Sequence, residues 1–127
     1  MSKQILSVSY DASLLATRCM LLEQRGYRVI SALGFTQAIA HCSSPDFDLF
    51  ILGHSIPVAD KQELINTFRK NCPAPILSLE RLGEEKVPCD FHASPDRPEE
   101  FLATVQMILE RTPQPRAGDA KPQSRLL

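Results

Sequence analysis

Pro45-Asp46-Phe47-Asp48-Leu49-Phe50-Ile51-Leu52-Gly53 is the stretch whose reading decides the fold. Leu49, Phe50, Ile51 and Leu52 are apolar without alternation. A strand apolar on both faces suits the centre of a parallel sheet covered by helices on either side. Gly53 ends the run, and Pro57 breaks the loop that follows.

Strand and helix patterns alternate on both sides of this run. Upstream, Ile5-Leu6-Ser7-Val8 is a short apolar segment consistent with a buried strand. Asp11 or Ser13 is placed to cap a helix whose apolar face is Leu15, Cys19 and Leu22, with Leu14 and Leu21 alongside. Gly26 suits its end. Residues 27–32 read as a second strand. Phe35, Ala38, Ile39 and Cys42 then repeat at helical spacing until Ser43-Ser44-Pro45. Downstream, Leu64, Ile65 and Phe68 mark a third helix finishing near Asn71. Pro73 and Pro75 bracket the turn before a fourth strand, Ile76-Leu77-Ser78-Leu79, and residues 90–93 form a short fifth. Phe101, Leu102, Val105, Ile108 and Leu109 line a last helix, opened favourably by Pro98-Glu99-Glu100. The alternation predicts an α/β sandwich on a parallel sheet. A functional site is then expected beyond the C-terminal strand ends, at Ser9-Tyr10, Gly53-His54 and Glu80-Arg81.

The bulk composition narrows the function. A chain of 127 residues fits one domain, and a hydrophobic share of 43 % supports a real core. A formal net charge of −1 gives no footprint for nucleic acid or an anionic membrane. The opening MSKQILSVSY is too short and polar for a signal peptide. No apolar run approaches the roughly 20 residues of a membrane helix. A cytoplasmic location is expected. Cys19, Cys42, Cys72 and Cys89 are dispersed and read as reduced thiols, with Cys19 and Cys42 placed in the core. The domain is assigned to residues 1–111. From Thr112-Pro113-Gln114-Pro115-Arg116 onward the apolar periodicity is lost, and residues 112–127 are assigned to a flexible tail. The chain offers no glycine-rich phosphate cradle, no clustered metal ligands and no supportable Ser-His-Asp arrangement. Neither a cofactor nor an enzymatic activity is expected.

From residue 3 to about residue 110 the chain resembles the receiver domain of two-component response regulators. Leu21-Leu22-Glu23-Gln24-Arg25-Gly26-Tyr27-Arg28-Val29 is similar to the first helix and second strand. The stretch from Pro45 to Leu52, with Pro57 five residues on, is similar to the third strand and its loop. Ala74-Pro75-Ile76-Leu77-Ser78-Leu79 is similar to the fourth strand, and Asp90-Phe91, Pro95 and Pro98-Glu99-Glu100-Phe101-Leu102 to the fifth strand and last helix. The resemblance implies a flavodoxin-like three-layer sandwich with five parallel strands in the order 2-1-3-4-5. The fourth helix is expected to be shortened. Gly83 and Pro88 in the segment 81–89 leave room for a turn or two at most.

The family's phosphorylation residues do not carry over. The resemblance puts Gly53 where a receiver has its phosphorylated aspartate. Ser9 and Tyr10 stand at the two acidic positions that hold Mg²⁺, a hard cation wanting carboxylate oxygen. Glu80 takes the place of the Thr or Ser ending the fourth strand, and Ser94 that of the lysine before the last-loop proline. Tyr10 reads as a packing residue that could place its hydroxyl in the metal pocket. Glu80 reads most simply as a solvated loop glutamate. Its alternative is a permanent negative charge near the phosphate position, with Arg81 or His54 as candidate partners. The family's output surface includes the fourth helix, so Arg81, Leu82, Glu84 and Glu85 mark a candidate partner surface. The resulting expectation is a pseudo-receiver that binds another signalling protein without a phosphoryl switch, with homodimerisation compatible. Two alternatives stand beside it: a conventional response regulator with divergent chemistry, and a flavodoxin-like small-ligand-binding domain.

Overall fold

The computed structural model describes residues 2–111, so the segment assigned to a tail lies outside the described residues. Its elements follow the chain as β1 (Gln4–Ser9), α1 (Ala12–Gln24), β2 (Arg28–Leu33), α2 (Gly34–His41), β3 (Leu49–Leu52), α3 (Val58–Asn71), β4 (Ile76–Leu79), β5 (Phe91–Ala93) and α4 (Pro98–Arg111). The strands form one parallel sheet in the order β2-β1-β3-β4-β5.

The uninterrupted apolar run of β3 takes the central place. All four of its residues are fully buried. Alternation divides them between two cores. Phe50 and Leu52 join Leu6, Val8 and Ile76 under α2 and α3, where Phe50 stacks on Phe68 at 4.3 Å. Leu49 and Ile51 join Ile5, Leu77 and Leu79 under α1 and α4, against Leu22, Phe101, Val105 and Ile108. Positions 9, 53 and 80 therefore leave the sheet at one end with their facing set by this register.

Local signals set most element ends. Asp11 caps α1, its Oδ1 accepting from the backbone N–H of Leu14 at 3.1 Å. Gly26 follows the helix at φ +91°, a left-handed conformation that favours glycine. Cys42 is buried as expected, whereas Cys19 is only half-buried and Cys72 is the second buried thiol. The reason lies in the helix phase: α1 buries Leu15, Arg18 and Leu22, which puts Cys19 on the shoulder of the buried stripe.

The segment between β4 and β5 shortens further than a shortened helix. It holds one turn, closed by the Glu84 N–H donating to the Arg81 carbonyl at 3.0 Å, with Gly83 at φ +91°. Val87 drops back into the α2–α3 core, so the missing helix leaves no bare core beneath it. No helix among the described residues is long and apolar enough to cross a membrane.

Candidate functional site

The C-terminal ends of β1, β3 and β4 converge as the sequence predicts, but the side chains that fill the space differ. On the α1 side, Gly53 is buried and its N–H donates to the Val8 carbonyl at 2.9 Å. A Cβ built on Gly53 would fall 2.9 Å from Nη1 of Arg18, 3.2 Å from the Val8 carbonyl oxygen and 3.4 Å from Ser9 Oγ. Contacts that short displace something. The Arg18 guanidinium thus abuts the place where a side chain at position 53 would begin, and would have to shift for one. Arg18 is 5 % exposed, and both Nη1 and Nη2 are buried without a hydrogen-bond partner. Burial pulls its pKa down, opposed by the charge of Asp11. A guanidinium nevertheless stays protonated in a protein.

Ser9 and Tyr10 turn to other tasks. Ser9 Oγ accepts from the Asp11 N–H at 3.0 Å and lies 3.3 Å from Ser55 Oγ, which also accepts from the Tyr10 N–H at 3.1 Å. Tyr10 packs against the α2–α3 core and donates its hydroxyl to Asp60 Oδ2 at 2.7 Å. Burial, then the Asp60 hydrogen bond and the charges of Asp60 and Glu63, raise the Tyr10 phenol above its ordinary range. This donor set does not fit Mg²⁺. The hydroxyls are engaged locally, Asp11 caps α1, Asp60 holds Tyr10, and a guanidinium stands beside Gly53.

On the α3 side lies a buried network that corrects the reading of Glu80 as a solvated loop residue. Glu80 is 7 % exposed, with its side chain facing α3. Lys61, 2 % exposed, donates to Ser78 Oγ at 2.9 Å and to the Leu79 carbonyl at 3.0 Å, and lies 3.6 Å from Glu80 Oε2. Ser78 Oγ donates to the same carboxylate. Nδ1 of His92, on β5, sits 2.9 Å from Oε1 and 3.1 Å from Oε2. Glu80 therefore pairs with Lys61 and His92, while the two expected partners lie elsewhere. Arg81 turns outward to Asp96 at 3.0 Å, and His54 leaves Nε2 buried and unpartnered. Burial lowers the Lys61 pKa, opposed chiefly by the charge of Glu80. Ser94 is half-buried and accepts from the Asp96 N–H at 3.2 Å, well away from a lysine's role.

Arg18, Lys61 and His92 are the residues that sequence reasoning missed. The first two carry a signal. Arg18 stands three residues after Leu15 and four before Leu22; Lys61 stands three before Leu64, four before Ile65 and seven before Phe68. Both lie on the buried stripes of their helices, where a charge needs a partner or a purpose. His92 carries no comparable mark. Arg81, Leu82, Glu84 and Glu85 are all exposed, and Leu82 is completely so.

Removing Lys61 leaves the buried Glu80 carboxylate with Ser78 and His92 alone, and breaking a buried ion pair at one partner typically costs about 3–5 kcal/mol. Lys61→Met is expected to lower unfolding free energy by that amount in urea denaturation. Lys61→Met combined with Glu80→Gln is expected to recover most of it. A loss in the double variant equal to the sum of those in Lys61→Met and Glu80→Gln would show that the pair carries no charge coupling.

Comparison with known proteins agrees with this architecture. No family model matches the chain. It is 24 % identical over 122 residues to the phosphate regulon transcriptional regulatory protein PhoB of Klebsiella pneumoniae, covering 87 % of this chain and 53 % of that protein. The chain thus spans about half the length of this curated relative. Among solved structures, a two-component response regulator from Clostridium difficile superposes with a TM-score of 0.75 at 23 % identity, covering 87 % of this chain and 98 % of the other. A CheY-like response regulator receiver domain protein from Methanospirillum hungatei JF-1 gives 0.75 at 21 %, covering 87 % and 95 %. Strand order, layers and these likenesses agree, and the chain has the fold of the response-regulator receiver domain.

Proposed function

We propose that this receiver-like domain is a phosphorylation-independent protein-interaction module in bacterial signal transduction. One observation carries the reading: position 53 is a glycine, and the Arg18 guanidinium fills the space in front of it. Glycine has no nucleophile, so phosphoryl transfer has no acceptor there. Ser9, Tyr10, Gly53, Glu80 and Ser94 are, in this reading, the altered positions of a former phosphorylation site. Asp48 offers no substitute. It lies at the opposite end of β3, where its carboxylate accepts from the Gln4 N–H at 2.8 Å. The network of Lys61, Ser78, Glu80 and His92 supports a fixed state and not a switch. It joins α3, β4 and β5 through largely buried polar contacts.

A domain without a phosphoryl switch acts through its surface. The partner in this reading is another signalling protein, engaged at the turn carrying Arg81, Leu82, Glu84 and Glu85. Leu82 is a fully exposed aliphatic side chain at the tip of that turn. Arg81 is steadied by Asp96, and its own N–H donates to Glu84 Oε1 at 2.6 Å. An apolar tip framed by positioned charges suits a protein partner.

Incubation with acetyl phosphate and Mg²⁺ is expected to leave the intact mass unchanged. A stable phosphoryl adduct would favour a conventional response regulator instead. Leu82→Glu is expected to change stability by no more than about 0.5 kcal/mol, because the side chain touches nothing. The same variant should lose a partner that the wild-type domain recovers from a lysate of its source. Undiminished recovery would place the contact elsewhere.

A further inference from the structure

The receiver reading leaves Arg18 with a charge that nothing among the described residues neutralises. Its two terminal nitrogens are buried and unpartnered, and no carboxylate of the described residues lies within ion-pair distance. Asp11 acts on it only through space, its Oδ1 being held by the α1 cap. A cation in this condition is expensive to keep, since desolvation is compensated only by a counter-charge with matching hydrogen bonds.

Arg18 also lines a cleft of about 60 Å³ between α1 and α4. The other walls include Leu14, Thr17, Leu79, Pro95 and Phe101. These walls are apolar except for Thr17, whose hydroxyl already donates to the Ser13 carbonyl at 3.0 Å. The volume admits a solute of a few heavy atoms, because one water needs only about 10–15 Å³ on this measure. We propose that this cleft binds a small carboxylic acid, its carboxylate on the Arg18 guanidinium and its short apolar body against Leu14, Leu79 and Phe101.

The chemistry of the walls selects this class. The planar fork of a guanidinium matches the two oxygens of a carboxylate. A phosphate dianion would bring oxygens that the apolar walls cannot satisfy. Nη1 and Nη2 are buried as they stand, with Nη1 beside Gly53, so binding requires the last torsions of the Arg18 stem to turn the guanidinium toward the cleft. The site uses none of the residues assigned to the partner surface, and it shares only Arg18 with the reading of position 53.

Sodium propionate is the probe. Titrated into the ¹⁵N-labelled domain against sodium chloride of equal ionic strength, it is expected to shift the amides of Leu79 and Phe101 saturably, with a millimolar midpoint suited to so small a ligand. Sodium phosphate is expected to leave them in place. Arg18→Met should weaken propionate binding at least about tenfold. Thr17→Tyr, which blocks the cleft from its exposed rim and spares the buried charge, should weaken it as well. The assignment is overturned by non-saturable shifts, by saturation that both variants leave unchanged, or by phosphate binding where propionate does not.

Discussion

Two cations and one carboxylate are buried at the C-terminal end of this sheet, and that imbalance governs what the domain can do. Lys61 approaches from the α3 side and finds Glu80, Ser78 and a backbone carbonyl. Arg18 approaches from the α1 side and finds a glycine. Each lone ion would lose several kcal/mol of hydration on burial. The first cost is offset by a closed network of charge and hydrogen bonds. The second is left open, beside Gly53. Gly53 and Arg18 are thus coupled through space: a Cβ at position 53 requires the guanidinium to shift.

The fold was legible because its signals are redundant. Leu49 to Leu52 suited a strand buried on both faces, and the alternation on either side left a parallel sandwich as the simple solution. Asp11 and Gly26 marked the ends of α1 by cap chemistry that needs no tertiary context. The segment 81–89 was readable as room for a turn or two at most, and it holds one. The burial of Val87 was not readable, because it depends on a hollow that only the assembled sheet creates.

The site was half legible. The positions at the strand ends, Ser9, Tyr10, Gly53 and Glu80, follow from strand register alone. What fills the space between them comes from α1 and α3, through long side chains whose reach no spacing rule reports. Glu80 shows the difficulty. A glutamate after an apolar strand reads as solvated, and it becomes a buried ion only because Lys61, eighteen residues before the end of β4, and His92, twelve beyond Glu80, arrive from other elements. Arg18 and Lys61 did sit on apolar stripes. A charge on such a stripe is the one sequence feature that would have pointed to both.

On the proposed reading, the place of the phosphorylated aspartate is a glycine with a buried cation beside it. The most direct test restores the missing nucleophile. Gly53→Asp, treated with acetyl phosphate and Mg²⁺ and weighed intact, should remain unphosphorylated, its new carboxylate paired with Arg18 and no acidic pair at Ser9 and Tyr10 to hold the metal. Uptake of a phosphoryl group by Gly53→Asp would show that the surrounding site still works, and that glycine alone had silenced it.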